Sequence, residues 1–173
     1  DQVDEKKKEI NKIKKAIFFS RIHEKKGLLE LVETWSEINP RDWILEVYGP
    51  VSNINYFSLV KKTIKRLNLD DRIKIFDPVY NTESKRKIFL SANCFLLPSK
   101  SENFGISIGE ALAHSLPVLT TTATPWKEIE KYNAGKIFEM TRDNLRKNLS
   151  IFLSYSINEL DRMGLNGKKL IDE

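Results

Sequence analysis

The stretch LLPSKSENFGISIGEALAHSLPVLTTT (residues 96–122) indicates the fold and contains two acidic residues that need an explanation. An apolar run opens the stretch, residues 104–115 read as a helix, and a second apolar run begins at Pro117. A strand, a helix and a strand in this order form a βαβ unit, whose two strands are parallel. Glu102 precedes the helix and Glu110 lies inside it, so both are near the end of the first strand.

The same alternation of strands and helices extends through most of the chain. The predicted strands are AIFFS (16–20), WILEVYG (43–49), RIKIFD (72–77), CFLLPS (94–99), PVLTT (117–121) and GKIFE (135–139). Several are apolar throughout, which is typical of strands buried on both faces. The sequence therefore predicts an α/β fold with a doubly wound, mostly parallel sheet (Rossmann-like), and a last helical segment from about Thr141. No GxGxxG follows the first strand, so the dinucleotide-binding fingerprint is absent.

The length of 173 residues is typical of one domain, and we divide the chain into a charged leader (1–15) and a folded domain (16–173). The chain starts without Met, so we expect a piece of a longer protein. No apolar run approaches the roughly 18 to 20 residues that cross a bilayer, so we expect a soluble domain, which we assign to the cytoplasm. The single cysteine, Cys94, fits a reducing compartment and is interpreted as a small core residue.

The net charge of +5 raises the question of anionic partners. Six lysines lie between Lys6 and Lys15, but acidic residues alternate with them, which is typical of a solvated segment. We therefore expect no nucleic-acid partner, with salt-sensitive DNA binding through the leader as the alternative. A peripheral contact of the leader with the inner face of the membrane stays open, although no amphipathic anchor is visible. One cysteine and two histidines form no cluster with metal-ligand spacing.

Loops that follow the strands hold the candidate binding residues, because ligands of open parallel sheets bind at the carboxyl ends of the strands. Arg21 directly follows the first predicted strand, and Lys26 precedes a helix whose first N–H groups carry positive charge. We interpret this pair as a candidate diphosphate site; the alternative is two exposed surface cations. The backbone near Val79, after the third strand, is a candidate contact for a flat base or else a simple turn.

The opening stretch offers groups for hydroxyls and phosphates together. Unpaired amides of Gly105, Ile106 and Ser107 at the helix start can face ligand oxygens. Glu102 and Glu110 each accept hydrogen bonds at two oxygens, which suits the vicinal hydroxyls of a ribose or a hexose. The alternatives are an acid favoured by the helix dipole for Glu102 and an exposed surface residue for Glu110.

Taken together, these segments resemble the C-terminal, nucleotide-sugar-binding half of the retaining GT-B glycosyltransferases of family 4, also called group 1. The matching segments are Ser20-Arg21-Ile22, Lys26-Gly27, Tyr48-Gly49, residues 73–79, Pro98-Ser99, Glu102-Asn103-Phe104-Gly105, Glu110-Ala111-Leu112 and Pro117-Val118. The resemblance runs from about residue 16 to 140. The segment with the two glutamates, followed by Thr124-Pro125-Trp126, is similar to family members that build lipopolysaccharide or capsular glycans. Asp77 and Thr124-Pro125 depart from the glycines that are usual there.

The resemblance implies half of an enzyme that transfers a hexosyl group from a nucleotide-diphosphate sugar to a glycan or lipid-linked acceptor, with retention of configuration. It implies catalytic roles for Arg21 and Lys26, which would bind the diphosphate and stabilise the leaving nucleotide, and for Glu102. Glu102 and the backbone from Asn103 to Ile106 would hold the donor sugar, Glu110 the ribose hydroxyls, and the backbone near Val79 the base.

The resemblance also implies that protein cations and amides neutralise the phosphates, so we expect no metal and no cofactor beyond the donor sugar nucleotide. The acceptor-binding N-terminal domain of the family is absent from this chain, and we expect the chain alone to be inactive. We assign no catalytic role to His23 or His114. The alternative function is a non-catalytic scaffold subunit that binds nucleotide sugars.

Overall fold

One parallel sheet forms the centre of the protein in a computed structural model that describes residues 12–173. Its six strands within these residues are β1 (Lys14–Phe19), β2 (Trp43–Tyr48), β3 (Ile73–Phe76), β4 (Cys94–Leu97), β5 (Val118–Thr121) and β6 (Gly135–Phe138). They lie in the order β3-β2-β1-β4-β5-β6, and all neighbouring strands are parallel. The predicted doubly wound, Rossmann-like sheet is therefore confirmed. The strand order reverses between β1 and β4, and such a switch point opens a crevice at the carboxyl ends of the strands.

Helices connect consecutive strands, as the apolar spacing of the sequence predicts. They are α1 (Leu28–Ile38), α2 (Ile54–Arg66), α3 (Thr82–Ser91), α4 (Ile106–Ala113), α5 (Glu128–Lys131), α6 (Arg142–Ser154) and α7 (Ile157–Asp172), and a 3-10 turn, Glu24–Lys26, precedes α1. The predicted last helical segment is two helices, because Ser156 begins a new one. Its hydroxyl accepts from the amide of Glu159 (3.1 Å), whose carboxylate accepts from the amide of Ser156 (2.7 Å), which is a capping box.

Apolar side chains on both faces of the central strands form the core. Phe18, Leu45 and Phe95 have no exposed surface, as expected for strands with helices on both sides. The indole N–H of Trp43, also fully buried, donates to the carbonyl of Leu153 (2.9 Å) and so ties β2 to the end of α6. Cys94 is fully buried in β4, where desolvation raises the pKa of its thiol, so it is a neutral core residue as predicted.

The beginning of the sheet lies two residues before the predicted first strand. Lys14 and Lys15 are strand residues that form ion pairs. Lys14 Nζ lies 3.1 Å from Asp42 Oδ2, and Lys15 Nζ lies 3.1 Å from Glu46 Oε1. Two of the six lysines of the leader are therefore part of the first strand, and DNA binding through the leader stays an untested alternative. The first eleven residues of that leader, residues 1–11, lie outside the described residues. Within residues 12–173 no helix combines the length and the apolar character that a bilayer span requires.

Gly164 provides a test of the packing between α7 and the end of α4. A methyl group on Gly164 would lie 1.9 Å from the carbonyl oxygen of Ser115. Replacing glycine by alanine inside a helix normally stabilises by roughly 1 kcal/mol. Here we expect Gly164→Ala to lower the free energy of unfolding by about 1 to 3 kcal/mol, because overpacking outweighs helix propensity. Urea unfolding measures the difference.

The neighbouring Leu165 is 59% exposed on the same helix and gives the control. Leu165→Ala should change the free energy of unfolding by no more than about 0.5 kcal/mol, as is usual for surface positions. A Gly164→Ala variant more stable than the unsubstituted protein would contradict the close packing of α7.

Candidate functional site

A cleft of about 360 Å³ opens at the carboxyl end of the sheet, where the loops after β1 and β4 meet. This volume falls within the range of small-molecule sites in proteins. Nine of the ten predicted site residues line it: Arg21, Lys26, Glu102, Asn103, Phe104, Gly105, Ile106, Ser107 and Glu110. The switch point of the strand order therefore coincides with the residues selected from the sequence. Their proposed roles stay predictions.

Backbone contacts hold the two loops against each other. The amide of Lys100 donates to the carbonyl of Lys25 at 2.7 Å. Gly27 has a left-handed backbone (φ 75°), and a Cβ there would lie 2.1 Å from the carbonyl oxygen of Pro98, so only glycine fits this approach. On the β4 side, the buried Thr121 hydroxyl donates to the carbonyl of Ser99 at 2.5 Å. The loops form one fixed floor for the cleft.

Lys26 and Glu102 form an ion pair across these two loops. The Lys26 Nζ lies 2.6 Å from Glu102 Oε2, and the two side chains are only 8% and 14% exposed. Because an isolated charge is costly in so dry a place, each of the two groups requires the other. An ammonium has three donors, so Lys26 keeps donor capacity for ligand oxygens after pairing.

Arg21 projects from the same floor towards solvent. Its neighbour Ile22 is buried and bridges to Val51, with its amide donating to the carbonyl of Pro50 at 2.9 Å. This contact turns Arg21 outward, where it is exposed. Within residues 12–173 Arg21 has no ion pair and no side-chain hydrogen bond, so its five N–H donors are available to an anion.

The start of α4 closes the other side of the cleft. Gly105 is the N-cap residue in a left-handed conformation (φ 63°), and Trp126 fixes the loop before it by donating from Nε1 to the carbonyl of Phe104 (2.8 Å). The amides of Ile106 and Ser107 have no partner inside the helix, because the first N–H groups of a helix never do. They line the cleft together with the positive end of the helix dipole.

Glu110 lies deeper along α4 and pairs with a residue that the sequence analysis did not select. Lys85 Nζ, on α3, is 2.9 Å from Glu110 Oε1. Nothing in the local sequence distinguishes Lys85 from the other cations of its helix, since only the fold brings α3 beside α4. Phe19, Ser20 and Gly49 also line the cleft, and their places at the ends of β1 and β2 are a signal that the switch-point rule could have used.

Val79 is the one predicted residue that does not line the cleft. Its side chain is half-buried and packs against the core, in the loop between β3 and α3. Asp77 lies nearby in a second, smaller hollow of about 230 Å³, which adjoins the cleft at Gly49. The contact between the backbone near Val79 and a base stays a prediction.

Both histidines make local contacts. His23 Nδ1 accepts from the amide of Lys25 (3.1 Å) and caps the 3-10 turn, while the ring of His114 stacks on Phe89 at 5.2 Å. The described part of the chain contains no group of three acidic, histidine or cysteine side chains arranged to hold a metal ion. The prediction that protein cations and amides neutralise phosphate charge stays untested.

Comparison with known proteins agrees with this geometry. The sequence model of the family described as "Glycosyl transferases group 1" matches residues 1–170. A search of curated protein sequences finds no match. Among solved structures, the C-terminal domain of the glycosyl transferase group 1 family protein LpcC from Francisella tularensis superposes with a TM-score of 0.81 at 21% identity, over 96% of this chain and 88% of that one.

Two further structures contain the same fold within longer chains. Alr3699/HepE of Anabaena, solved with UDP and glucose, has a TM-score of 0.80 at 17% identity, over 99% of this chain and 46% of that one. WaaG, a glycosyltransferase involved in lipopolysaccharide biosynthesis, has a TM-score of 0.73 at 20% identity, with coverages of 99% and 46%. The chain thus spans less than half the length of these two proteins, and its fold is that of C-terminal domains of GT-B glycosyltransferases.

The burial of the Lys26–Glu102 pair predicts strong thermodynamic coupling. We expect a double-mutant cycle of Lys26→Met and Glu102→Gln to give a coupling energy of about 1 to 3 kcal/mol, because either single change leaves the other group without its partner. Urea unfolding of the four proteins measures this energy.

The exposed pair Lys168–Asp172, at 46% and 60% exposure, is the matched control. Its cycle should give no more than about 0.5 kcal/mol, as is usual for exposed pairs one helical turn apart. Equal coupling energies for both pairs would show that the cleft is wetter than its geometry indicates.

Proposed function

The chain belongs to the group 1 glycosyl transferases, and from this membership we propose that it is the donor-binding domain of a sugar-transferring enzyme. The enzyme would transfer a hexosyl group from a nucleotide-diphosphate sugar to a glycan or lipid-linked acceptor. One observation carries the proposal: the cleft at the switch point gathers Arg21, Lys26, Glu102 and Glu110 with the start of α4. These groups supply donors for phosphates and acceptors for hydroxyls in one place.

Charge favours a diphosphate on the Arg21 and Lys26 side of the cleft. The lining holds three cationic side chains, Arg21, Lys26 and Lys85, against the carboxylates of Glu102 and Glu110. In this proposal Arg21 and Lys26 bind the diphosphate, and the amides of α4 donate to the same oxygens. When the bond to the sugar breaks, negative charge grows on the departing nucleotide, and these fixed donors stabilise it most at that point.

Hydroxyl recognition is proposed for the two carboxylates. Glu102, with the backbone from Asn103 to Ile106, would hold the donor sugar, and Glu110 would hold the ribose. Each carboxylate accepts at two oxygens, and each has one oxygen engaged by a lysine at 2.6 or 2.9 Å. The second oxygen of each is therefore the one offered to a hydroxyl. Catalysis would follow from positioning and charge, without a bound metal.

The finer parts of the proposal concern the whole enzyme. We propose family 4 membership, transfer with retention of configuration, and a role in the cytoplasmic synthesis of lipopolysaccharide, capsule or another cell-surface polysaccharide. The likeness in fold to WaaG, named for lipopolysaccharide biosynthesis, supports the pathway. The structure of Alr3699/HepE with UDP and glucose supports a nucleotide-sugar ligand. An acceptor-binding domain outside this chain would complete the active site.

Isothermal titration calorimetry with UDP, GDP and ADP tests the donor site. We expect one or more of these nucleotides to bind, with Arg21→Ala lowering the affinity roughly tenfold, the size expected for one charged hydrogen-bonding group. Affinity should also fall as salt rises, because the exposed Arg21 is screened.

Arg66→Ala provides the control for loss of one positive charge. Arg66 is the last residue of α2 and is exposed, and a helix that follows a strand of a parallel sheet ends at the amino edge, opposite the cleft. This variant should bind as the unsubstituted protein does. Equal losses for Arg21→Ala and Arg66→Ala would remove Arg21 from the binding site.

Activity of a protein that contains both domains separates the enzyme from the scaffold alternative. The enzyme hypothesis expects sugar transfer that Lys26→Met abolishes. Nucleotide-sugar binding without transfer in the complete protein would instead favour a scaffold subunit.

A further inference from the structure

Lys85 is a cleft residue to which the proposed function assigns no task. It lies on the first turns of α3 and reaches Glu110 on α4, with 2.9 Å between Nζ and Oε1. Both side chains are partly shielded, at 27% and 32% exposure. The pair therefore joins two helices in the wall of the cleft and includes the carboxylate that is proposed to hold the ribose.

One more contact and the cap of α3 fix the position of the Lys85 ammonium. It lies over the ring of Phe19, 5.5 Å from the ring centre, within the range of a cation–π interaction. That ring is itself held between Tyr48 and Phe89, with ring centres 5.7 and 5.2 Å away. The side chain of Asn81 accepts from the amide of Ser84 (2.9 Å) and fixes the start of α3. Lys85 is thus a prearranged group.

The ion pair leaves half of the Glu110 carboxylate available. Oε1 accepts from Lys85, whereas Oε2 has no hydrogen-bond partner within residues 12–173. A glutamate on an exposed helix face samples several rotamers, and ordering it on ligand binding costs free energy. With Lys85 in place this ordering is complete before a ligand arrives.

We propose that Lys85 is a positioning residue that holds Glu110 Oε1 and so aims Oε2 at a ribose hydroxyl. The inference deepens the proposed function and rests on it. Its consequence is specificity: Lys85 sets the preference of the cleft for ribonucleoside over 2′-deoxyribonucleoside diphosphates. The Lys85 ammonium serves the nucleotide through Glu110 and makes no direct contact with the phosphates.

Calorimetry with UDP, GDP and ADP, and with the 2′-deoxy form of each, tests this inference. The measured quantity is the ratio of the two affinities for a given base. We expect the unsubstituted protein to favour the ribose form roughly tenfold, the size of one hydrogen bond to a charged acceptor. Lys85→Met keeps the length of the side chain without its charge and should bring this ratio below about threefold.

Matched variants show whether a change in this affinity ratio is specific to Lys85. Lys85→Arg should restore the ratio, because a guanidinium can donate to the same Glu110 oxygen. Lys87→Met removes an exposed cation from the same helix and should leave both the affinities and the ratio unchanged. Urea unfolding checks that each variant folds, and Lys85→Leu, which also lacks a donor, replaces Lys85→Met if the latter does not.

Several results would overturn the inference. Equal weakening of the ribose and deoxyribose forms in Lys85→Met would make Lys85 a phosphate ligand. Tighter binding of both forms would make it a group that blocks the cleft. If Glu110→Gln loses the preference for the ribose form while Lys85→Met keeps it, this inference is wrong but the proposed ribose site stands. Absence of binding to the unsubstituted protein, or an unchanged ratio in Glu110→Gln, would overturn the proposed ribose site as well.

Discussion

The close approach of the loops after β1 and β4 is the constraint on which the site depends. Gly27 lies against the carbonyl of Pro98, and a backbone hydrogen bond from Lys100 to Lys25 locks the contact. The strand order reverses at this point, so no helix fills the space above the two strands. The resulting cleft takes its charged groups from both loops, which is why the Lys26–Glu102 pair can form across it.

The fold was predictable from the sequence because the apolar runs are short, nearly continuous and separated by helical stripes. Runs of this kind are typical of central strands of a parallel sheet, which are buried on both faces. The ends of strands and helices are harder to predict where no turn or cap residue marks them. Lys14 and Lys15 belong to β1 although they are charged, since their partners Asp42 and Glu46 lie beside them only in the folded sheet. The division between α6 and α7 was missed despite the capping box at Ser156, whose sequence signal is short.

The candidate site was predictable in part. Residues that follow a strand directly, such as Arg21 and Glu102, could be selected because topology alone brings strand ends together. The sequence does not show which charged residues form ion pairs, because pairing depends on how far the side chains reach across the loops. Lys85 illustrates this limit: its partner Glu110 is 25 residues away in the chain, and the contact exists only because α3 and α4 lie side by side. Val79 illustrates the reverse, since a plausible loop position need not face the cleft.

The two ion pairs explain how a cleft suited to anions can also hold carboxylates. An unpaired lysine at 8% exposure would lose much of its hydration, and a carboxylate partner offsets that loss in the empty protein. Pairing does not occupy all the hydrogen-bonding groups of either side chain, because an ammonium has three donors and a carboxylate has two acceptor oxygens. Each pair is therefore a structural contact that leaves hydrogen-bonding groups free, and the proposed function uses those groups for the donor. Arg21, which is exposed and has no such partner within residues 12–173, is not held in place by another side chain, so the part of the cleft that contains the two ion pairs is the better ordered one.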